Sequence, residues 1–130
     1  MNENAPRAEY LLLSRGKWDK NASKQDTEAA IEKFYAWLET KVKEGKMKRG
    51  QRLAIERALV SKAGIVTDQP FAEAKEVIGG YWFILARDLQ EAASLAAESP
   101  CLQVGLNYEI RPVESARASA YDITNETPDK

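Results

Sequence analysis

The stretch Gly79-Gly-Tyr-Trp-Phe-Ile-Leu-Ala86 decides the fold. Side chains alternate faces along a strand, so Tyr81, Phe83 and Leu85 fall on one side and Trp82, Ile84 and Ala86 on the other. Both sets are apolar. A strand of this kind is covered on both faces and lies in the middle of a sheet. Glu9-Tyr-Leu-Leu-Leu-Ser14 has the same character and reads as a second central strand.

Outward from these two strands the pattern repeats. After Ser14 a polar stretch rich in Lys, Asn and Ser runs to Asp26, which reads as an N-cap with Glu28 in the first turn. Ile31, Phe34, Tyr35, Leu38 and Val42 follow at helical steps, widened by Ala30 and Trp37. Lys41, Lys43 and Lys46 gather at the carbonyl end, where Gly45 suits a left-handed stop. Met47 to Ala54 and Glu56 to Lys62 read as strand segments, and a turn at Ala63-Gly64 before Ile65-Val66-Thr67 predicts an inserted hairpin. Pro70 breaks it. Beyond Ala86, Asp88 caps a second helix with Glu91 at the capping-box spacing, and Leu89, Ala92, Ala93 and Ala96 form its stripe until Ser99-Pro100. Val104, Leu106, Tyr108 and Ile110 then alternate with Gly105, Asn107, Glu109 and Arg111, a strand with one polar face. Residues 1–7 and 115–130 offer little to bury and are expected to be flexible, which leaves a domain at about 8–114.

The order β-α-β, hairpin, β-α-β is that of an α+β, ferredoxin-like split βαβ fold. Two helices cover only one face of its sheet, so the apolar residues on the other face need a second cover. A second subunit packed sheet to sheet supplies it, and a homodimer is expected.

Composition removes several functions. The chain has 130 residues, 19 Lys+Arg against 20 Asp+Glu, and a formal charge of −1, so it has no broad basic field for a phosphate backbone. Direct nucleic-acid binding is not expected. Histidine is absent, which excludes Ser-His-Asp, Cys-His and two-histidine zinc sites. Neither a metal nor another cofactor is expected. Cys101 has no partner in the chain, which suits a reducing, cytoplasmic setting. No apolar run approaches the roughly twenty residues of a membrane helix, and the first residues lack a secretory pattern.

Thr67-Asp-Gln-Pro-Phe-Ala-Glu-Ala-Lys-Glu76, followed by Gly79-Gly80-Tyr81 and closed by Glu109-Ile-Arg-Pro-Val113, resembles the YCII-related, DGPF-type family. The likeness runs from Tyr10 to Val113. It implies a dimeric α/β barrel of ferredoxin-like subunits. Some members carry a transcription-initiation label that rests on nearby sigma-factor genes. Gln69 stands where the family has glycine, so the loop is expected at negative φ. The related YciI branch looks like it uses a His-Asp pair, which a chain without histidine cannot supply.

Asp68, Glu73, Lys75 and Glu76 set three carboxylates and an amine around a proline turn. Paired carboxylates divide acid and base roles when their surroundings separate their pKa values, so Asp68 and Glu73 are the candidate catalytic residues. Glu109 and Arg111 on the polar strand face, Arg15 on the parity of Leu11 and Leu13, and the loop residues Phe71 and Lys75 form the candidate ligand set. Arg111 offers its planar fork to an anion. A plainer reading makes Asp68 a turn cap, Glu73 and Lys75 a surface pair, Glu109 and Arg111 a cross-strand network, and Phe71 a core anchor. The basic run Lys41 to Arg52 reads as helix capping and edge protection. Cys101 reads as a semi-buried residue at a helix end with no dipole to activate it, and Trp18, Trp37 and Trp82 as core or pocket lining. Gly79-Gly80 reads as a bend or bulge. The function expected is binding of a small polar or anionic molecule in a pocket of the barrel, with acid-base chemistry. The alternative is a non-catalytic accessory protein in transcription regulation, linked to a sigma factor.

Overall fold

The structure is a computed structural model that describes residues 6–67 and 77–129. Its elements are β1 (Ala8–Arg15), α1 (Lys24–Lys43), β2 (Met47–Arg52), the hairpin strands β3 (Leu59–Ser61) and β4 (Gly64–Val66), β5 (Ile78–Ala86), α2 (Leu89–Ala96), a 3-10 turn (Pro100–Val104) and β6 (Asn107–Pro112). The main sheet runs β2-β5-β1-β6, antiparallel throughout, so β5 and β1 are the inner strands. This α+β arrangement is consistent with the ferredoxin-like expectation.

Alternation sorts the sheet into two faces. Tyr10, Leu12, Trp82, Ile84 and Met47 are buried against Ala30, Phe34 and Leu38 of α1 and Ala92 and Ala96 of α2. Leu12 and Ile84 are fully enclosed, so truncating either to alanine should cost about 2–5 kcal/mol. On the other face Leu11 lies opposite Phe83 and Leu13 opposite Tyr81, all half-buried, and no helix among the described residues covers them.

Local chemistry accounts for the ends of the elements. Ser23, not Asp26, caps α1: its hydroxyl accepts the Asp26 N–H at 3.0 Å. Serine caps as well as aspartate, and Asp26 then sits in the first turn where the dipole favours a carboxylate. Gly45 takes the expected left-handed stop at φ 74. Asp88 caps α2 and accepts the Glu91 N–H at 2.8 Å. Glu91 reaches back to the N–H and guanidinium of Arg87 instead of closing the box on Asp88.

The α2 stripe is narrower than expected. Ala92 and Ala96 are buried, Leu95 packs against the core, and Leu89 and Ala93 are exposed. The inserted hairpin is present, with Ser61 opposite Gly64, so Lys62-Ala63 make the turn. Gly79 forms a bulge, because the register steps from Ser14 opposite Gly80 to Arg15 opposite Ile78. No described helix is long and apolar enough to cross a membrane.

Candidate functional site

Three registers build one row across the helix-covered face of the sheet. Ser14 lies opposite Tyr108 of β6 and also opposite Gly80 of β5, and Gly80 lies opposite Arg52 of β2. The row reads Tyr108, Ser14, Gly80, Arg52: two hydroxyls, a gap and a guanidinium. It lies near the C-terminal end of β1 and the N-terminal end of β5. A cleft of about 280 Å³ opens above it, roofed by Ile31, Phe34 and Tyr35 of α1 and walled by Trp18, Trp82, Cys101 and Leu106.

Each wall has a local cause. A Cβ on Gly80 would fall 2.7 Å from the six-membered ring of Trp82, so only glycine lets the indole lean over the row. Gly105 holds φ 110, and a Cβ there would meet the Asp19 backbone N at 2.6 Å. That close approach lets Asp19 N–H donate to the Val104 carbonyl at 2.8 Å, which ties the Trp18 loop to the 3-10 turn. Phe34 meets Trp82 edge to face at 5.0 Å and Tyr35 at 5.3 Å, geometries that fix the rings relative to one another.

The polar groups differ in how they are satisfied. The Tyr108 and Ser99 hydroxyls share a hydrogen bond of 2.7 Å, and Ser99 Oγ accepts the Cys101 N–H at 3.3 Å. Burial pushes both the Tyr108 phenol and the Cys101 thiol above their ordinary pKa values. Cys101 therefore sits at the start of the 3-10 turn and not at a helix end, yet as a neutral, buried thiol. Ser14 is 3% exposed, and its hydroxyl has no hydrogen-bond partner among the described residues. Among the described residues no fully enclosed side-chain polar atom goes unpartnered, and Ser14 lines the cleft, so its hydroxyl opens onto that space. Arg52 has no ion pair among the described residues.

Its neighbours in the basic run are paired. Lys41 meets Glu44 and Glu98, Lys46 meets Glu44, Lys48 meets Glu9, and Arg49 grips Glu39 and holds that carboxyl below its usual pKa. This agrees with the reading of the run as helix-end and edge-strand charge.

The family model of the YCII-related domain matches residues 8–115. The chain belongs to that family. No curated protein matches it significantly. In this YCII-related chain the structure brings together three of the residues expected to form the site. Arg15 forms an ion pair with Glu109, and Arg111 Nη1 lies 3.4 Å from the other Glu109 oxygen. They lie on the uncovered sheet face, on the same parity as Leu11 and Leu13. Asp68, Phe71, Glu73 and Lys75 lie outside the described residues.

The sequence carries little sign of the cleft on the opposite face beyond marking Trp18 and Trp82 as core or pocket lining. Its one sequence signal is Ser14, a hydroxyl at a buried position of an otherwise apolar strand. Among the described residues no group of side chains is arranged to hold a metal.

Proposed function

We propose that the chain is a small-molecule-binding YCII-related protein whose site is the helix-side cleft. One observation carries this: the Ser14 hydroxyl and the Arg52 guanidinium, neither with a side-chain partner among the described residues, bound the same aromatic-walled space. A hydroxyl that opens onto an aromatic-walled cleft can hydrogen-bond a ligand, and a guanidinium lining the same cleft draws a small anion.

The uncovered face supports a different role. Arg15 and Arg111 share Glu109, which leaves less charge to offer an anion, while the apolar centre of that face favours a homodimer joined sheet to sheet. Acid-base work by Asp68 and Glu73 remains part of the proposal. It rests on their chemistry alone, as two carboxylates that can divide acid and base roles. A cytoplasmic setting fits the buried free thiol of Cys101.

Trp18 and Trp82 line the cleft, so their fluorescence reports occupancy. Titration with a panel of small carboxylates is expected to change it, and Arg52→Ala to weaken the tightest ligand by about tenfold or more, the effect of a lost charged hydrogen bond. Arg111→Ala should leave affinity unchanged. The reverse result would put the site on the uncovered face and overturn the reading.

A further inference from the structure

Ser14 and Arg52 flank Gly80 in the row, two strand spacings apart, or roughly 10 Å between Cα atoms. Gly80 puts no side chain between them, and the Trp82 ring lies over the space instead. The Arg52 guanidinium lies beside Gly79 and lines the cleft together with Ser14.

We propose that the cleft takes a single-ring aromatic carboxylate with a second oxygen on the far side of the ring, an inference that rests on the cleft being the ligand site. The walls give the ring: Phe34 touches both Tyr35 and Trp82, Trp18 lines the same space, and aromatic walls accept a further ring edge-to-face or offset at centroid distances of about 4.5–7 Å. Arg52 gives the carboxylate, because its planar fork matches two coplanar oxygens and a single cation balances a single negative charge. A phosphate dianion would be left under-neutralised among these groups. Ser14 gives the second oxygen, with the Ser99–Tyr108 hydroxyl pair beside it. At about 280 Å³ the space falls just below the roughly 300–1,000 Å³ of drug-sized sites, which favours one ring over a nucleotide.

The probes are 4-hydroxybenzoate, benzoate, 4-hydroxybenzyl alcohol and succinate, titrated calorimetrically and by tryptophan fluorescence into the full chain. 4-Hydroxybenzoate is expected to bind tightest, with benzoate about fivefold weaker for want of the Ser14 partner and the alcohol about tenfold weaker for want of the charge. Ser14→Ala should erase the preference for 4-hydroxybenzoate over benzoate. Arg52→Ala should weaken both carboxylates and leave the alcohol unchanged, and Arg52→Lys should recover only part of the loss. Circular dichroism of each variant separates lost binding from lost fold.

Succinate binding as tightly as 4-hydroxybenzoate, through Arg52, would overturn the aromatic class and leave the cleft as the site. Equal affinity for benzoate and 4-hydroxybenzoate would remove the second oxygen. Aromatic binding that Arg52→Ala and Ser14→Ala both leave intact would overturn the cleft reading itself. If none of the probes binds, the aromatic class falls, and the wider carboxylate panel then decides the cleft.

Discussion

At the residue scale, Cys101 and Tyr108 make a prediction with a definite sign. Burial raises both pKa values above the ordinary 9.0 and 10.0, so the folded chain keeps protons that the unfolded chain loses. The stability they contribute is fully present below pH 9 and is lost as pH rises from there toward the folded values. The slope is at most about 1.4 kcal/mol per pH unit for each group. Urea melts between pH 8 and pH 11 should show the decline, and Tyr108→Phe should flatten its upper part. The same decline in Tyr108→Phe as in wild type would show that other groups cause it. The raised thiol also predicts slow alkylation of native Cys101 at pH 8, because the thiolate is the nucleophile. A cleft ligand should slow it further. Gly50 predicts a larger effect of a different kind. A Cβ there would stand 1.8 Å from the Tyr81 carbonyl oxygen, where the β2 register shifts. Backbone must move to admit it, so Gly50→Ala should detach β2 from β5 and lower the melting temperature by more than any other single alanine in β2.

At the element scale, the hairpin and α1 behave in opposite ways. Among the described residues β3 and β4 pair only with each other, and Leu59, Val60, Ile65 and Val66 are all exposed. A lone two-stranded ribbon is marginal in water. Amides from Leu59 to Val66 should therefore exchange with solvent orders of magnitude faster than those of Leu12 and Ile84. Protection equal to that of β1 would mean that something covers the hairpin in solution. α1 is held by its cap and its core face, so Ser23→Ala should cost about 1 kcal/mol by leaving the Asp26 N–H without its acceptor. The elements were legible in the sequence because period and end chemistry are local. Tyr81 to Ala86 declares an inner strand by composition alone, and Asp88 with Glu91 marks a helix start. The Ser23 cap was missed because Ser23 and Asp26 are comparable caps three residues apart. The cleft was not legible for a different reason. Ser14, Arg52 and Tyr108 become neighbours only through strand registers and the bulge at Gly79, neither of which leaves a pattern in the chain. Reading for charge led instead to Glu109 and Arg111, which do meet, but to satisfy each other.

At the scale of the whole molecule, the sheet has one face too many. Leu11, Leu13, Tyr81, Phe83 and Leu85 form the centre of the uncovered side, with the Glu9–Lys48 pair at one rim and Arg15, Glu109 and Arg111 at another. Four strands by six residues project to roughly 400 Å², within the size range of patches that mark interfaces. A second copy packed on this face would cover it, and its own apolar centre would be covered in turn, as two-fold symmetry requires. Phe83 sits in the middle, edge-on to Tyr81 at 6.0 Å with the Lys48 ammonium 5.5 Å from its ring. Phe83→Glu places a charge where a dimer needs apolar contact, while Lys48 and solvent stabilise that charge in a lone subunit. Light scattering of wild type is expected at twice 14.6 kDa, and of Phe83→Glu at 14.6 kDa with an unchanged circular dichroism spectrum. A monomeric wild type would remove the interface. The same variant separates the two faces as functional sites. Phe83 and the cleft lie on opposite sides of one sheet, so a monomer with an intact fold should still change its tryptophan fluorescence with carboxylates through Arg52. Loss of binding together with the dimer would mean that the partner completes the site.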